Sequence, residues 1–294
     1  MNILFIGAVT FSARALETVI ALGGHVVGVC TLKNSSFHAD FCDLGAIAGA
    51  HDIPLHYAED INGPESVAWI ARCKPDVIFC FGWSRLLKAP ILDLAPLGVV
   101  GFHPAALPAN RGRHPLVWAL VLGLKETAST FFFMDGGADS GDILSQQAIP
   151  IDDADDAGSL YAKVMAVAAG QIADFLPKLA AGDYPRLKQD DGLANLWRKR
   201  GKADGLIDWR MSAQGIHNLV RGLARPYVGA HFEHNQAEYK VWKSQIVEDA
   251  PANIEPGKVL AVTARSHPIV KCGDKAIKLL EIVPDLKIAA GTYL

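Results

Sequence analysis

Short apolar runs alternate with amphipathic segments through the first two thirds of the chain. The runs NILFIGA, HVVGVCTL, PDVIFCFG and GVVGFH are almost continuously apolar, whereas ARALETVIAL and RLLKAPILDLA have helical character. Strands that are buried on both faces lose the alternation of a half-exposed strand, and they occur in parallel sheets covered by crossover helices. The pattern therefore predicts an α/β domain with a Rossmann-like, mostly parallel sheet.

The pattern changes after a polar, charged segment at residues 183–204. Before it lie a strand, ILSQQAIPI, and a long helix from about Ser159 to Leu179. After it, the helix SAQGIHNLVRGLAR leads into five short strand-like segments, namely GAHFEH, EYKVWKSQIVE, GKVLAVTA, PIVKCG and KAIKLLEIV. Short strands separated by Gly or Pro are typical of a small β-barrel or sandwich. We therefore predict two domains, residues 1–190 and 205–294.

Composition restricts the expected partners and compartment. The 294 residues carry a formal net charge of −3, and nucleic-acid binding usually requires a basic surface, so such a partner is not favoured. The five cysteines are odd in number and lack zinc-ligand spacing, which fits a reducing cytoplasm and predicts no metal site. The N-terminus lacks the features of a signal peptide, and no apolar run suggests a membrane span.

The segment from Gly101 to Leu144 carries the candidate chemistry. His103 ends an apolar strand, and Asp139 lies in the Gly-rich loop DGGADSGD. Ligands of open α/β sheets bind at the carboxyl ends of the strands, and a paired imidazole and carboxylate there suits acid/base catalysis. Because no Ser or Cys has a nucleophile context, the pair indicates acyl-type transfer without a covalent intermediate. A plain Asp/Gly turn is the alternative interpretation of the loop, and spacing does not decide between them.

Two further motifs have weaker interpretations. GAVTFSARALE has only Gly7 where a dinucleotide fingerprint needs three glycines, so NAD binding is not favoured. Arg111 and Arg113 in NRGRHP could pair with phosphates or carboxylates, or could lie in a solvated loop.

A resemblance to a known family adds to these patterns. HPAALPANRGRHPLVWALVLGLKETASTFFFMDGGADSGDIL resembles the formyltransferase signature. DGLIDWRMSAQGIHNLVRGLARPYVGAHF resembles the second domain shared by methionyl-tRNA and sugar-nucleotide formyltransferases, which implies an OB-like β-barrel. The family transfers a formyl group from N10-formyltetrahydrofolate to an amine. The resemblance implies that His103 and Asp139 are catalytic and that the third catalytic position, an Asn in the family, falls on Gly101.

The resemblance also implies where the ligands bind. Folate would lie between the segment FGWSR and the loop DGGADSGD. The residues implied for folate are Trp83, Ser84, Leu86, Gly136, Gly137 and Ala138, and those for the acceptor are Asn110, Arg111, Arg113 and His114. The chain is similar to the formyltransferase domain that acts on UDP-4-amino-arabinose, and the favoured acceptor is a nucleotide-linked amino sugar, because a diphosphate needs only a few cationic groups. A homodimer is a further expectation.

Three alternatives stay open on the sequence alone. Methionyl-tRNA could be the acceptor, or water could replace the amine so that the folate is hydrolysed. The chain could also bind folate and nucleotide sugar without catalysis, because Gly101 lacks the amide of the family's Asn. If a substitute donor exists, Ser84 and Asn110 are its candidates.

Overall fold

The computed structural model describes residues 1–35 and 39–294, and the chain divides into two compact units. The first unit consists of Met1–Pro115, Thr127–Ile149 and Ala162–Trp197, and the second of Leu116–Glu126, Pro150–Tyr161 and Arg198–Leu294. The chain therefore changes unit several times before it leaves the first one at Trp197. No change of composition marks the two short segments that belong to the second unit.

The elements follow the alternation of the sequence. The strands are β1 (Asn2–Ile6), β2 (His25–Thr31), β3 (Leu55–Tyr57), β4 (Val77–Cys80), β5 (Val99–His103), β6 (Arg111–Gly112), β7 (Glu126–Phe133), β8 (Ile143–Pro150), β9 (Leu196–Trp197), β10 (Ala230–His234), β11 (Ala237–Val247), β12 (Val259–Val262), β13 (Pro268–Lys271) and β14 (Ala276–Val283). The helices are α1 (Thr10–Ala21), α2 (Gly45–Ala50), α3 (Pro64–Arg72), α4 (Ala89–Leu92), α5 (Pro115–Val121), α6 (Ala157–Ala181) and α7 (Ala213–Gly222).

A seven-stranded sheet forms the centre of the first unit. Its strand order is β3-β2-β1-β4-β5-β7-β8, and β1 to β5 pair in parallel, while β7 runs antiparallel to β5. Ile3, Phe5 and Phe79 have no exposed surface, as expected of strands covered on both faces. The predicted mostly parallel sheet is therefore confirmed. The strand order changes direction between β1 and β4, and in open α/β sheets such a point forms a crevice at the carboxyl ends of the strands. The carboxyl ends of β4 and β5 lie on this side of the sheet.

One predicted helix is much shorter than its periodicity suggests. RLLKAPILDLA forms only α4, because Pro90 cannot occupy a helix interior and is accommodated in the first turn. The preceding residues bond elsewhere: Arg85 donates to the carbonyl of Glu59, and the N–H of Lys88 donates to Asn62. The segment after β4 is therefore an irregular loop.

Helix α6 is long and apolar enough to cross a membrane by length and composition, and within the described residues it alone meets that test. It nevertheless presents one buried stripe to the protein, formed by Leu160, Val164, Ala168, Ile172, Phe175 and Leu179. The ring of Phe175 packs against Phe131 of β7 with 4.9 Å between centroids. This stripe at helical spacing is typical of a core helix.

The second unit contains an antiparallel sheet of five strands. Their order is β10-β11-β14-β13-β12, and they correspond to the five short segments of the sequence pattern. Helix α7 begins at the N-cap Ser212, whose hydroxyl accepts the N–H of Gly215. Its buried face, including Ile216 and Leu219, shares one apolar core with strand residues such as Phe232. The short-strand prediction is confirmed, and the OB-like barrel stays a prediction.

Candidate active site

His103 is the last residue of β5 and is 4% exposed. Its Nε2 lies 2.8 Å from the carbonyl oxygen of Asn110. A carbonyl only accepts hydrogen bonds, so Nε2 must carry a proton and donate it. In the neutral ring the lone pair is then on Nδ1, which is the atom able to take up a proton.

Asp139 occupies the loop between β7 and β8 and faces that nitrogen. Its Oδ2 lies 3.6 Å from Nδ1 of His103 and accepts the backbone N–H of Gly112 at 2.8 Å. Asp139 has a φ of 56°, in the left-handed region that Asp and Asn tolerate better than most residues. A proton on Nδ1 would lie between the imidazole and the carboxylate, so the structure brings the predicted acid/base pair together.

The Arg111–Gly112 pair forms β6 and pairs in parallel with β9. The Arg111 guanidinium donates to Gln189 Oε1 at 2.8 and 3.2 Å and to Asp191 Oδ1 at 2.9 Å. The Arg111 guanidinium therefore already has hydrogen-bond and ion-pair partners within the protein. Gly112 has a φ of 103°, and a Cβ there would collide with the carbonyl oxygen of Trp197, so the position requires glycine.

The other predicted acceptor residues flank this pair. Asn110 is half-buried in the left-handed region, and its N–H donates to Asn195 Oδ1 at 2.7 Å. Since its carbonyl accepts from His103, its backbone is fixed beside the imidazole. Arg113 is exposed and donates its N–H to the Trp197 carbonyl, and His114 is half-buried. A cavity of about 310 Å³ is lined by Arg111, Ala138, Ser140, Ala194, Asn195 and Leu196, and none of the other three predicted acceptor residues is among these.

The predicted folate residues lie in two loops. Trp83, Ser84 and Leu86 follow β4, and Gly136, Gly137 and Ala138 precede Asp139 in its loop. Leu86 is 63% exposed, and the three loop residues are exposed as well. The indole Nε1 of Trp83 is buried, and it has no hydrogen-bond partner among the residues that the structure describes. Exposed apolar surface and an unpaired buried donor in this loop are features that a planar polar ligand would complement.

Gly101 lies inside β5, opposite Phe132 of β7. A Cβ at this position would lie 2.8 Å from Met134 Cγ and 3.0 Å from Phe132 Cζ. Two apolar side chains thus fill the space that an asparagine side chain would need. The site residue predicted at position 101 contributes no side-chain donor, and the surroundings leave no room for one.

This packing predicts the effect of restoring the amide. Gly101→Asn should lower the free energy of unfolding by about 1–3 kcal/mol, as overpacking of a filled core does. Urea denaturation compares it with Gly170→Asn, in an exposed part of α6, where a Cβ would have no atom of the described residues within 4 Å. Adding Met134→Ala should recover part of the loss. A Gly101→Asn protein as stable as the parent would show that the position is roomier than the structure describes.

Cys80, which pairs with Gly101 across the strands, is not a nucleophile. Its side chain is 5% exposed, and burial raises the pKa of the thiol to about 12. A thiol that stays protonated at neutral pH is a poor nucleophile. The thiol of Cys80 is therefore no candidate for covalent catalysis at this strand end.

Sequence reasoning missed Gln189. This residue is 6% exposed and contacts both Arg111 and the Asp139 loop. It lies in the polar, charged segment at residues 183–204, where a glutamine is expected to be exposed to solvent. No signal in the sequence distinguishes it from its neighbours.

Two family models cover most of the chain. The model described as formyl transferase matches residues 3–174, and the model of the formyl transferase C-terminal domain matches residues 199–292. Together they include every site residue that the sequence predicted, whereas Gln189 lies between the two matches.

Several solved structures have the same fold, among them two formyltransferases and HypX. An N-formyltransferase from Helicobacter canadensis, in complex with folinic acid and dTDP-3-aminofucose, has a TM-score of 0.69 at 17% identity and covers 94% of this chain and 98% of its own. A variant of HypX from Aquifex aeolicus has a TM-score of 0.69 at 18% identity over 96% of this chain. The match spans only 44% of HypX. A methionyl-tRNA formyltransferase from Clostridium thermocellum has a TM-score of 0.60 at 19% identity and covers 83% of this chain and 93% of its own.

Proposed function

The chain belongs to the formyl transferase family, and from that premise we propose that it transfers the formyl group of N10-formyltetrahydrofolate to the amine of a nucleotide-linked amino sugar. The observation that carries the proposal is the pairing of His103 and Asp139 at the carboxyl end of β5. The Helicobacter canadensis relative, which was crystallised with folinic acid and an amino-sugar nucleotide, supports this choice of ligands.

The two loops described above fit the proposed co-substrate. Bound N10-formyltetrahydrofolate supplies an activated formyl carbon. The buried Nε1 of Trp83 would give a donor to a polar ring edge, and the exposed surface of Leu86 would cover an apolar face. The exposed backbone of residues 136–138 offers further donors and acceptors.

The hydrogen bonds of His103 support a role as general base. Because Nε2–H is held by the carbonyl of Asn110, Nδ1 is the atom that takes the proton from the incoming amine. The ring then becomes positively charged beside the carboxylate of Asp139, 3.6 Å away. The carboxylate stabilises that charge, while the N–H of Gly112 holds it in position. When His103 takes up the proton, the negative charge of the Asp139 carboxylate becomes part of a neutral ion pair. The imidazolium would return this proton to N10 of the folate as the bond between the formyl carbon and N10 breaks, so that tetrahydrofolate leaves and His103 is again neutral.

The oxygen of the formyl group needs a hydrogen-bond donor, since negative charge grows on it during attack. Gly101 has none, and Asn110 is the favoured substitute because its backbone already contacts His103. Ser84 in the loop after β4 is the second candidate.

We expect Asn110→Gly to reduce the transfer rate by about tenfold or more, since removal of one such donor is costly. Glycine keeps the left-handed backbone at φ 66° and removes only the side chain. Asn110→Asp, which keeps the shape but loses the amide donor, should behave alike. Asn235→Gly, at a turn residue of φ 49° in the second unit, is the control and should leave the rate unchanged. If Asn110→Gly and Ser84→Ala both retain full activity, neither residue is the donor.

The charges of the second unit favour a small acceptor over tRNA. Two of the four cations in the segment WRKRGK (197–202) form ion pairs within the chain: Arg198 with Asp204, and Lys202 with Glu238. Hydrogen bonds from Lys202 and then Lys240 lower the pKa of Glu238 to about 2, and a hydrogen bond from Arg198 lowers the pKa of Asp204, so both carboxylates stay charged at neutral pH. A tRNA needs many available cations, whereas a diphosphate needs few.

The test is incubation with N10-formyltetrahydrofolate and a panel of UDP-, dTDP- and GDP-linked amino sugars. Mass spectrometry should detect one nucleotide sugar that gains a single formyl group. If methionyl-tRNA is formylated and no nucleotide sugar is, the acceptor is the tRNA and the proposed amino-sugar substrate is wrong. Loss of the folate's formyl group without a formylated amine would indicate hydrolysis, and binding of both ligands without any product would contradict catalysis.

A further inference from the structure

Gln189 is a buried side chain whose amide is fully hydrogen-bonded. Its Oε1 accepts twice from the guanidinium of Arg111, and its Nε2 donates to the carbonyl oxygens of Asp139 at 2.9 Å and Gly141 at 2.7 Å. Two lone pairs and two N–H groups thus have one partner each. The partners also determine the orientation of the amide, because only the oxygen can face a guanidinium and only the NH₂ group can face two carbonyls.

The two carbonyls belong to the loop that carries the candidate catalytic carboxylate. Asp139 has a φ of 56°, a conformation that surrounding contacts must hold in place. Gly141 is also constrained, since a Cβ there would collide with the carbonyl of Phe133. Gln189 fixes the backbone on either side of Ser140, while the N–H of Gly112 fixes the Asp139 carboxylate.

Arg111 contributes to the same arrangement from the other side. Its side chain is 12% exposed and is bonded to Gln189 and to the Asp191 carboxylate. Its neighbour Gly112 supplies the N–H that Asp139 accepts. Gly112 therefore holds the Asp139 carboxylate directly, through its N–H. Arg111 acts on the same loop indirectly, through its hydrogen bonds to Gln189.

We infer that Gln189 is a positioning residue of Asp139, and that Arg111 acts through Gln189 rather than on the phosphates of the acceptor. This inference rests on the proposed formyl transfer for its kinetic tests. Its structural test, the exchange of loop amides, does not depend on any activity.

The kinetic test uses Gln189→Glu and Gln189→Leu. Glutamate keeps an acceptor for Arg111 but cannot donate to either carbonyl, so it separates the two contacts. Both variants should lower kcat by about 10- to 100-fold, as a small displacement of a catalytic group does, with little change in the KM of the acceptor. In an Asp139→Asn background, Gln189→Leu should cause no further loss, because residues acting through one group are not additive. Normal kcat in Gln189→Glu, or additive losses in the double variant, would overturn the inference.

The variant Arg111→Met tests the second part of the inference, that Arg111 acts through Gln189 and does not bind the acceptor. If Arg111 acts through Gln189, the variant should lower kcat and leave the acceptor's KM nearly unchanged. A large rise in KM with kcat preserved would show that Arg111 binds the acceptor instead.

Hydrogen exchange followed by mass spectrometry gives the independent readout. The peptide spanning 135–142 should exchange faster in Gln189→Glu and Gln189→Leu than in the parent. Gln171→Leu is the matched control: Gln171 is 5% exposed and bonds to Ser129 and Ser145, away from this loop. Unchanged exchange of the loop in both Gln189 variants would refute the inference. If the parent formylates no acceptor while these variants loosen the loop, the proposed function fails and the positioning role stands.

Discussion

His103→Gln is expected to lower kcat for formyl transfer by about 10²- to 10⁴-fold, the usual contribution of a general base. The glutamine amide can place an N–H where the imidazole Nε2–H now donates to the carbonyl of Asn110. It provides no titratable atom in place of Nδ1. The substitution therefore removes proton acceptance beside Asp139 while keeping a bond that holds the following loop.

His103→Asn and His51→Gln complete this experiment. Asparagine is too short to reach the Asn110 carbonyl, so His103→Asn should lose transfer and also loosen residues 104–110. His51 is exposed at the end of α2, and His51→Gln should retain the parent rate. Initial rates should be measured with the acceptor found by mass spectrometry, and thermal unfolding should confirm that His103→Gln is folded. Transfer within a few-fold of the parent in His103→Gln would exclude His103 as the base.

The strand pattern predicted the fold because these strands are buried on both faces. The apolar runs that contain β1, β2, β4 and β5 are almost uninterrupted. A strand that is buried on both faces needs apolar residues at nearly every position, so its burial can be predicted from the sequence. The position of His103 follows from the same argument, since a polar residue that ends such a run must lie at a strand's carboxyl end. Local patterns therefore predicted both the sheet and one member of the site.

The partners of the site residues could not be predicted in this way. The bond between Arg111 and Gln189 joins residues 78 positions apart, and the bond between Asp139 and Gln189 joins residues 50 apart. The filling of the space at Gly101 depends on Met134, which lies beyond the end of β7 and shows no periodicity. These contacts arise from packing of distant segments, so one sequence read locally carries no signal for them. These contacts also change how two predicted site residues are interpreted. Arg111, which the resemblance implied for acceptor binding, is hydrogen-bonded within the protein, and Gly101, implied as a catalytic position, has no space for an amide side chain.

Asp139→Asn is expected to lower kcat by about 10²- to 10³-fold, since removal of one charged group that stabilises developing charge is costly in a partly buried site. Asparagine has nearly the same shape and tolerates a φ of 56°. Its Oδ1 can still accept the N–H of Gly112, as Asp139 Oδ2 does. The variant therefore removes the negative charge beside Nδ1 of His103 with little effect on the loop. A protonated imidazole would then have no counter-charge, and uptake of the amine's proton becomes unfavourable.

Asp135→Asn provides a matched control in the same loop. Asp135 accepts from the N–H of Gly137 and the hydroxyl of Ser140 through one oxygen, and asparagine can accept both bonds. This variant should retain a rate close to that of the parent, so that the comparison isolates charge at position 139. Because His103 and Asp139 act as one unit, the double variant His103→Gln/Asp139→Asn should be no slower than His103→Gln alone. Full activity of Asp139→Asn, or strictly additive losses in the double variant, would show that the carboxylate does not act through the imidazole.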